Sequence, residues 1–208
     1  MPSVPADYQP AEFSLTAAVR AHLGVSTRQL GRYLGVTAGF VSHIEVGRRG
    51  LSAARLPRLL WLSHLLPPPL GQGQPAVPGP ALFEPLAPLP APDELLPAWP
   101  ASAPEPAAEA LRSRLRECRL LLLTHGEELA RLQGRATQLA HRRWGLAQLR
   151  AVAPPADPDE AAHYARWLAE LADDLAREEP SPATAAAYLV LRARVAGLRA
   201  EVAALAAG

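Results

Sequence analysis

The chain has 208 residues, a formal net charge of +1, 49% hydrophobic residues, 23 prolines and one cysteine. That length suits one large domain or two small ones, and the lone Cys118 excludes an intramolecular disulfide and any zinc site built from several cysteines. No stretch approaches the roughly 20 apolar residues that span a bilayer, and the N-terminus lacks the basic start and apolar run of a signal peptide, so a cytoplasmic protein is expected.

The small net charge hides a partition along the chain. Residues 1–66 carry seven arginines against three acids, residues 67–106 carry four acids and no arginine, and residues 107–208 carry fourteen arginines against thirteen acids. Only the first piece is clearly basic, as a binder of a phosphate backbone would be. All 21 basic residues are arginine.

Ser14 is placed to cap a first helix whose apolar rhythm, Leu15, Ala18, Val19 and Leu23, ends at Gly24. Ser26 with Gln29 three residues on forms a capping box for a second helix from Thr27 to Leu34, and Gly35 stops it. Thr37 caps a third, ending near Gly47. Leu30, Leu34, Val36, Val41 and Ile44 supply apolar contacts, Gly31 is small where the two helices cross, and Gly35 tolerates the positive φ of a tight turn. Pro57 falls inside the fourth helical stretch, so that helix is kinked or starts late.

Taken together, Thr27 to Ile44 and the Glu45, Gly47, Arg49 element resemble the helix-turn-helix of the Xre/Cro and phage-repressor family, over about residues 13–66. The resemblance implies a lambda-repressor-like domain that binds duplex DNA with its third helix in the major groove. Thr27 stands where that family often has a Gln bonding phosphate, and Gly31 replaces the commoner Ala.

Helical geometry selects the reading face independently. With Val41 and Ile44 inward, Gly39, Ser42, His43 and Val46 turn outward, Ala38 lies at the edge, and Glu45 stays close to the core as a bracket. Arg28, Arg48 and Arg49 flank that face as phosphate contacts, and the helix-start residues Thr27 and Thr37 complete the expected DNA-binding set. None of the outward residues of the third helix makes a bidentate base contact, so discrimination per monomer is expected to be modest.

Residues 67–105 read as a proline-rich linker, since fourteen prolines in residues 67–106 sustain neither helix nor sheet. Its apolar residues Leu82, Phe83, Leu86, Leu95, Leu96 and Trp99 either dock on a neighbouring helix or include a short helix at Asp93 to Leu96.

Residues 106–208 read as three helices. Pro106 opens the first, on which Leu111, Leu115, Cys118, Leu122, His125, Leu129, Leu132, Ala136, Leu139, Arg143 and Leu146 keep a heptad spacing. Asp157-Pro158 and Ser181-Pro182 start the others, with seams of Ala161, Tyr164, Leu168, Leu171 and Leu175, then Tyr188, Leu191, Val195, Leu198, Val202 and Leu205. An antiparallel, coiled-coil-like bundle is expected. The first helix, roughly 68 Å long at about 1.5 Å per residue, is about twice either partner, so half of it lacks a cover from the other two helices and a homodimer is expected, the alternative being that linker residues Leu82 to Trp99 fold back over the same stripe.

The whole reads as an all-α, bacterial or phage-type, sequence-specific transcriptional regulator. The alternative is a helical adaptor whose helix-turn-helix docks protein. No catalytic motif, cofactor site or metal site is in evidence, and nothing marks a small-molecule effector.

Overall fold

A computed structural model describes residues 14–91 and 108–207. The expectations at Leu95, Leu96, Trp99 and Pro106, and the short helix at Asp93 to Leu96, lie outside the described residues. Those described form seven helices and no strand: α1 (Leu15–Leu23), α2 (Thr27–Leu34), α3 (Ala38–Glu45), α4 (Leu56–Ser63), α5 (Ala108–Ala151), α6 (Pro158–Glu178) and α7 (Pro182–Ala207). Among these residues no helix is long and apolar enough to cross a membrane.

The first three helices begin and end where the local chemistry directs. The Ser14 hydroxyl accepts from Ala17 N at 3.3 Å. Ser26 and Gln29 form a reciprocal capping box, with Gln29 N to Ser26 Oγ at 3.2 Å and Ser26 N to Gln29 Oε1 at 2.9 Å. Gly24 and Gly35 close α1 and α2 in the left-handed region, at φ 65° and 68°. A Cβ on Gly31 would sit 2.7 Å from the Val36 carbonyl oxygen, so only glycine lets the turn lie this close to α2. Pro57 resolves as a late start: α4 opens at Leu56 with the proline in its first turn, where the missing N–H costs no intrahelical bond.

The chain divides into two compact units, each discontinuous in sequence: Met1–Gly79 with Gln138–Glu179, and Pro80–Thr137 with Pro180–Gly208. This differs from the three consecutive segments expected. Helices α5, α6 and α7 do not share one core. α6 packs with the N-terminal helices, α7 packs with the first part of α5, and α5 contributes a stretch to each unit.

In the first unit one cluster joins Val19, Leu23, Leu30, Leu34, Val41, Leu59 and Leu62 to Leu139, Leu146 and Leu149 of α5 and to Tyr164, Trp167, Leu171 and Leu175 of α6. Trp167 is the residue the heptad reading of α6 omitted. It is 2% exposed, stacks on Tyr33 with ring centroids 4.5 Å apart, and donates its indole N–H to the Gln29 carbonyl at 2.8 Å. The Tyr164 hydroxyl donates to the Leu149 carbonyl at 2.8 Å, so both buried aromatic polar atoms are satisfied. α5 meets α1 closely at Gly145, where a Cβ would lie 1.9 Å from the Leu23 carbonyl oxygen.

In the second unit Cys118, Leu122 and Leu129 of α5 pack on Leu191, Val195, Leu198 and Val202 of α7, four of the seam residues read from the sequence. Arg114 and Glu201 join the two helices by a bidentate pair at 2.7 and 3.1 Å. Cys118 is fully buried, and burial pushes its thiol pKa up, which suits a packing role. Both stretches of α5 therefore find partners within the chain, including the half expected to lack cover from the other two C-terminal helices.

Candidate nucleic-acid interface

α3 is eight residues long and is held at both ends by local bonds. Thr37 Oγ1 accepts from Phe40 N at 3.2 Å, so this hydroxyl is engaged as a cap. Beyond the helix Gly47 takes φ 73°, letting Arg48 N donate to the His43 carbonyl at 2.9 Å and Gly47 N to that of Ile44 at 3.0 Å. This paired closure turns the chain back at the end of α3 and holds Arg48 and Arg49 there.

The outward face carries the residues that helical geometry selected. Val41 is fully buried and Ile44 half-buried, whereas Gly39, Ser42 and His43 are exposed and Val46 is 64% exposed. Ala38 is half-buried at the edge. The Ser42 hydroxyl donates to the Ala38 carbonyl at 3.2 Å, which leaves its oxygen free to accept. At the start of α2, Arg28 is exposed and Thr27 half-buried. Thr27, Arg28 and the α3 set thus stand on two neighbouring helices, with Arg48 and Arg49 just beyond α3.

Glu45 is the bracket expected of it. Its carboxylate takes a bidentate pair from Arg20 of α1 at 2.8 and 3.1 Å, and this bond raises the arginine pKa. It is also the one acid in residues 14–66, so no carboxylate from this stretch is left on the α3 face.

Carboxylates of α6 engage two more arginines. Arg58 binds Glu160 at 2.8 and 2.6 Å and donates to the Tyr33 carbonyl at 3.2 Å. Arg32 pairs with Glu170 at 3.1 Å and with Asp174, which also accepts from Gln29 Nε2 at 2.9 Å. His163 Nε2 lies 2.8 Å from the Tyr33 carbonyl, which can only accept, so that nitrogen carries the proton. The bond from Arg58 holds the Glu160 carboxyl below its ordinary pKa. For Asp174 burial favours the neutral acid, but the bonds from Gln29 and Arg32 outweigh it and the pKa is lowered. Burial, then the Glu160 charge, pushes the Tyr33 phenol up to about 12.

Of the seven arginines in residues 14–66, Arg20, Arg32 and Arg58 are therefore neutralised by carboxylates, whereas among the described residues Arg28, Arg48, Arg49 and Arg55 have no ion-pair partner. Two of the residues around the face were not singled out from the sequence. Phe40 lies half-buried on α3 with the Arg49 guanidinium 5.7 Å from its ring centroid, a cation–π contact nine residues apart that exists only because the chain reverses at Gly47. Arg55, beyond the motif, places its Nε 3.7 Å from where a Cβ of Gly35 would be, beside the α2–α3 turn.

Among the described residues no group of three or more His, Cys, Asp or Glu could hold a metal ion. Comparison with protein-family models, with curated proteins and with solved structures gives no match, so the functional reading rests on these residues.

Proposed function

We propose that the chain is a sequence-specific DNA-binding regulator, with α2, the Gly35 turn and α3 acting as a helix-turn-helix of Xre/Cro type. The observation that carries this reading is the sorting of arginines: among the described residues the four without carboxylate partners stand at the start of α2, beside the α2–α3 turn and just beyond α3, and those facing α6 are neutralised. In this reading α3 lies in the major groove, with Ala38, Gly39, Ser42, His43 and Val46 toward base edges. Arg28, Arg48, Arg49 and Arg55 meet phosphates, assisted by the helix starts at Thr27 and Thr37.

The thin chemistry of that face makes a single head a weak discriminator, and a homodimer reading two half-sites roughly 34 Å apart supplies the rest. The exposed apolar residues Leu120 and Leu123 of α5 and Leu189 and Val190 of α7 are the candidates for pairing through the C-terminal helices.

Fluorescence anisotropy with random duplex at low salt tests the DNA reading. Binding should fall steeply with salt, and Arg48→Ala combined with Arg49→Ala should flatten the log–log slope by about 1.8, or roughly 0.9 per lost phosphate contact. No binding at low salt would overturn it and leave the helix-turn-helix as a protein-docking module. In vitro selection that yields a palindromic consensus would support the dimer.

A further inference from the structure

The Phe40 ring and the Arg49 guanidinium meet across a reversal of the chain. Gly47 takes φ 73°, and behind it the Arg48 and Arg49 amides both donate to the His43 carbonyl, at 2.9 and 3.3 Å. His43 follows Phe40 by three residues on α3, so this tie sets the backbone of Arg49 beside the helical turn that carries the ring. The guanidinium carbon then lies over the half-buried ring, 5.7 Å from its centroid.

An aromatic ring attracts the guanidinium as a cation and occupies none of its N–H groups as a hydrogen-bond acceptor would. Glu45, the one acid in residues 14–66, is bound to Arg20 by two hydrogen bonds, and among the described residues Arg49 has no carboxylate partner. Its donors are oriented without being used. An arginine paired with a carboxylate has to break that pair before it meets another anion, and one free in solvent has to freeze its rotamers. Arg49 is spared both costs. At a solvent-exposed cation–π contact such orientation is worth about two- to fivefold in binding.

We propose that Phe40 is the positioning residue for Arg49: its ring holds the guanidinium with N–H groups free for a phosphate of duplex DNA beside the C-terminal end of α3. This rests on the DNA reading given above, and adds that one phosphate contact is set in advance by an aromatic side chain that acts through the arginine. Among the described residues no ring lies under Arg48, so the two adjacent arginines differ in how far each is oriented before DNA arrives.

The test is a double-mutant cycle on the full chain, read by fluorescence anisotropy with random duplex at low salt. Phe40→Leu keeps an apolar, helix-favouring side chain at the half-buried position and removes the ring. It should weaken binding about two- to fivefold in the unaltered background and leave it unchanged in an Arg49→Ala background. Phe40→Tyr, which retains an aromatic face, should bind as the unaltered chain does. A second readout needs no DNA: ring-current shielding should place the Arg49 Nε–H proton of the free chain upfield of a solvated arginine, and Phe40→Leu should return it. The proposal is overturned by undiminished or tighter binding of Phe40→Leu, by an equal loss in both backgrounds, or by an unshielded Arg49 resonance in the unaltered chain. Duplex binding that is indifferent to Phe40→Leu sinks this proposal and leaves the DNA reading standing, whereas no duplex binding by the unaltered chain sinks both.

Discussion

The two sides of the N-terminal helices treat the same residue type in opposite ways. Toward α6, Arg32 and Arg58 are bound by Glu170, Asp174 and Glu160 and lie around the buried stack of Tyr33 on Trp167. Toward solvent, Arg48 and Arg49 follow α3 with no carboxylate partner among the described residues, and the Phe40 ring lies beneath Arg49. The guanidinium group is the same in both places. What differs is whether a helix from 102 to 142 residues further along the chain supplies a counter-charge, and that decides whether an arginine holds the fold or remains available to an anion.

The α6 side should be the stability-determining one, and the largest effect is expected there. Trp167→Ala removes a fully packed indole, its stack and its bond to Gln29, and should cost about 3–5 kcal/mol in urea unfolding. A loss below about 1 kcal/mol would break the comparison, since α6 would then be a dispensable cover. At the joint between the two sides, Gly31→Ala sets a Cβ against the immobile Val36 carbonyl. It should destabilise by about 1–3 kcal/mol, despite alanine's better helix propensity.

The sharpest contrast comes from single arginines. Arg32→Ala should lower stability by about 1 kcal/mol, the pairs being partly exposed, and leave the salt dependence of duplex binding unchanged. Arg48→Ala should do the reverse, keeping stability within about 0.5 kcal/mol while flattening the slope by about 0.9. Equal slopes for the two variants would show that the sorting of charges does not govern binding.

The smallest effect concerns pH. Because the folded-state pKa of Asp174 is lowered, its contribution is present above the ordinary aspartate value of about 3.9 and is lost as pH falls through the lower folded value. Asp174→Asn should therefore remove part of the acid-side loss of stability, measured by thermal unfolding between neutral and strongly acid pH. The Glu160–Arg58 pair titrates in the same direction.

Local structure was legible in the sequence because short-range chemistry sets it. The Ser26–Gln29 capping box, the left-handed Gly35 and the close approach at Gly31 involve residues at most a few positions apart, and they appear as the spacing implies. The outward set on α3 was legible for the same reason, a fixed turn per residue about a buried Val41. Phe40 and Arg55 were not, because their places depend on the reversal at Gly47 and on how the chain beyond it returns to the α2–α3 turn.

Partner choice among the C-terminal helices was the least legible feature. A heptad seam states that a helix has an apolar side but not which surface covers it, and Tyr164, Leu171 and Leu175 would suit a bundle as well as the N-terminal core. Trp167, off the 4-3 spacing, was the residue whose bulk and indole N–H asked for a different neighbour, and Tyr33 with the Gln29 carbonyl meets both needs. The sequence by itself determined the helices, their caps, the basic character of residues 1–66 and the residues turned outward on α3, since each follows from bonds and periodicities within a turn or two. Only the tertiary structure decided whether Arg32 and Arg58 meet carboxylates, because that depends on placing α6 against α2 and α4 across 102 to 142 residues of chain.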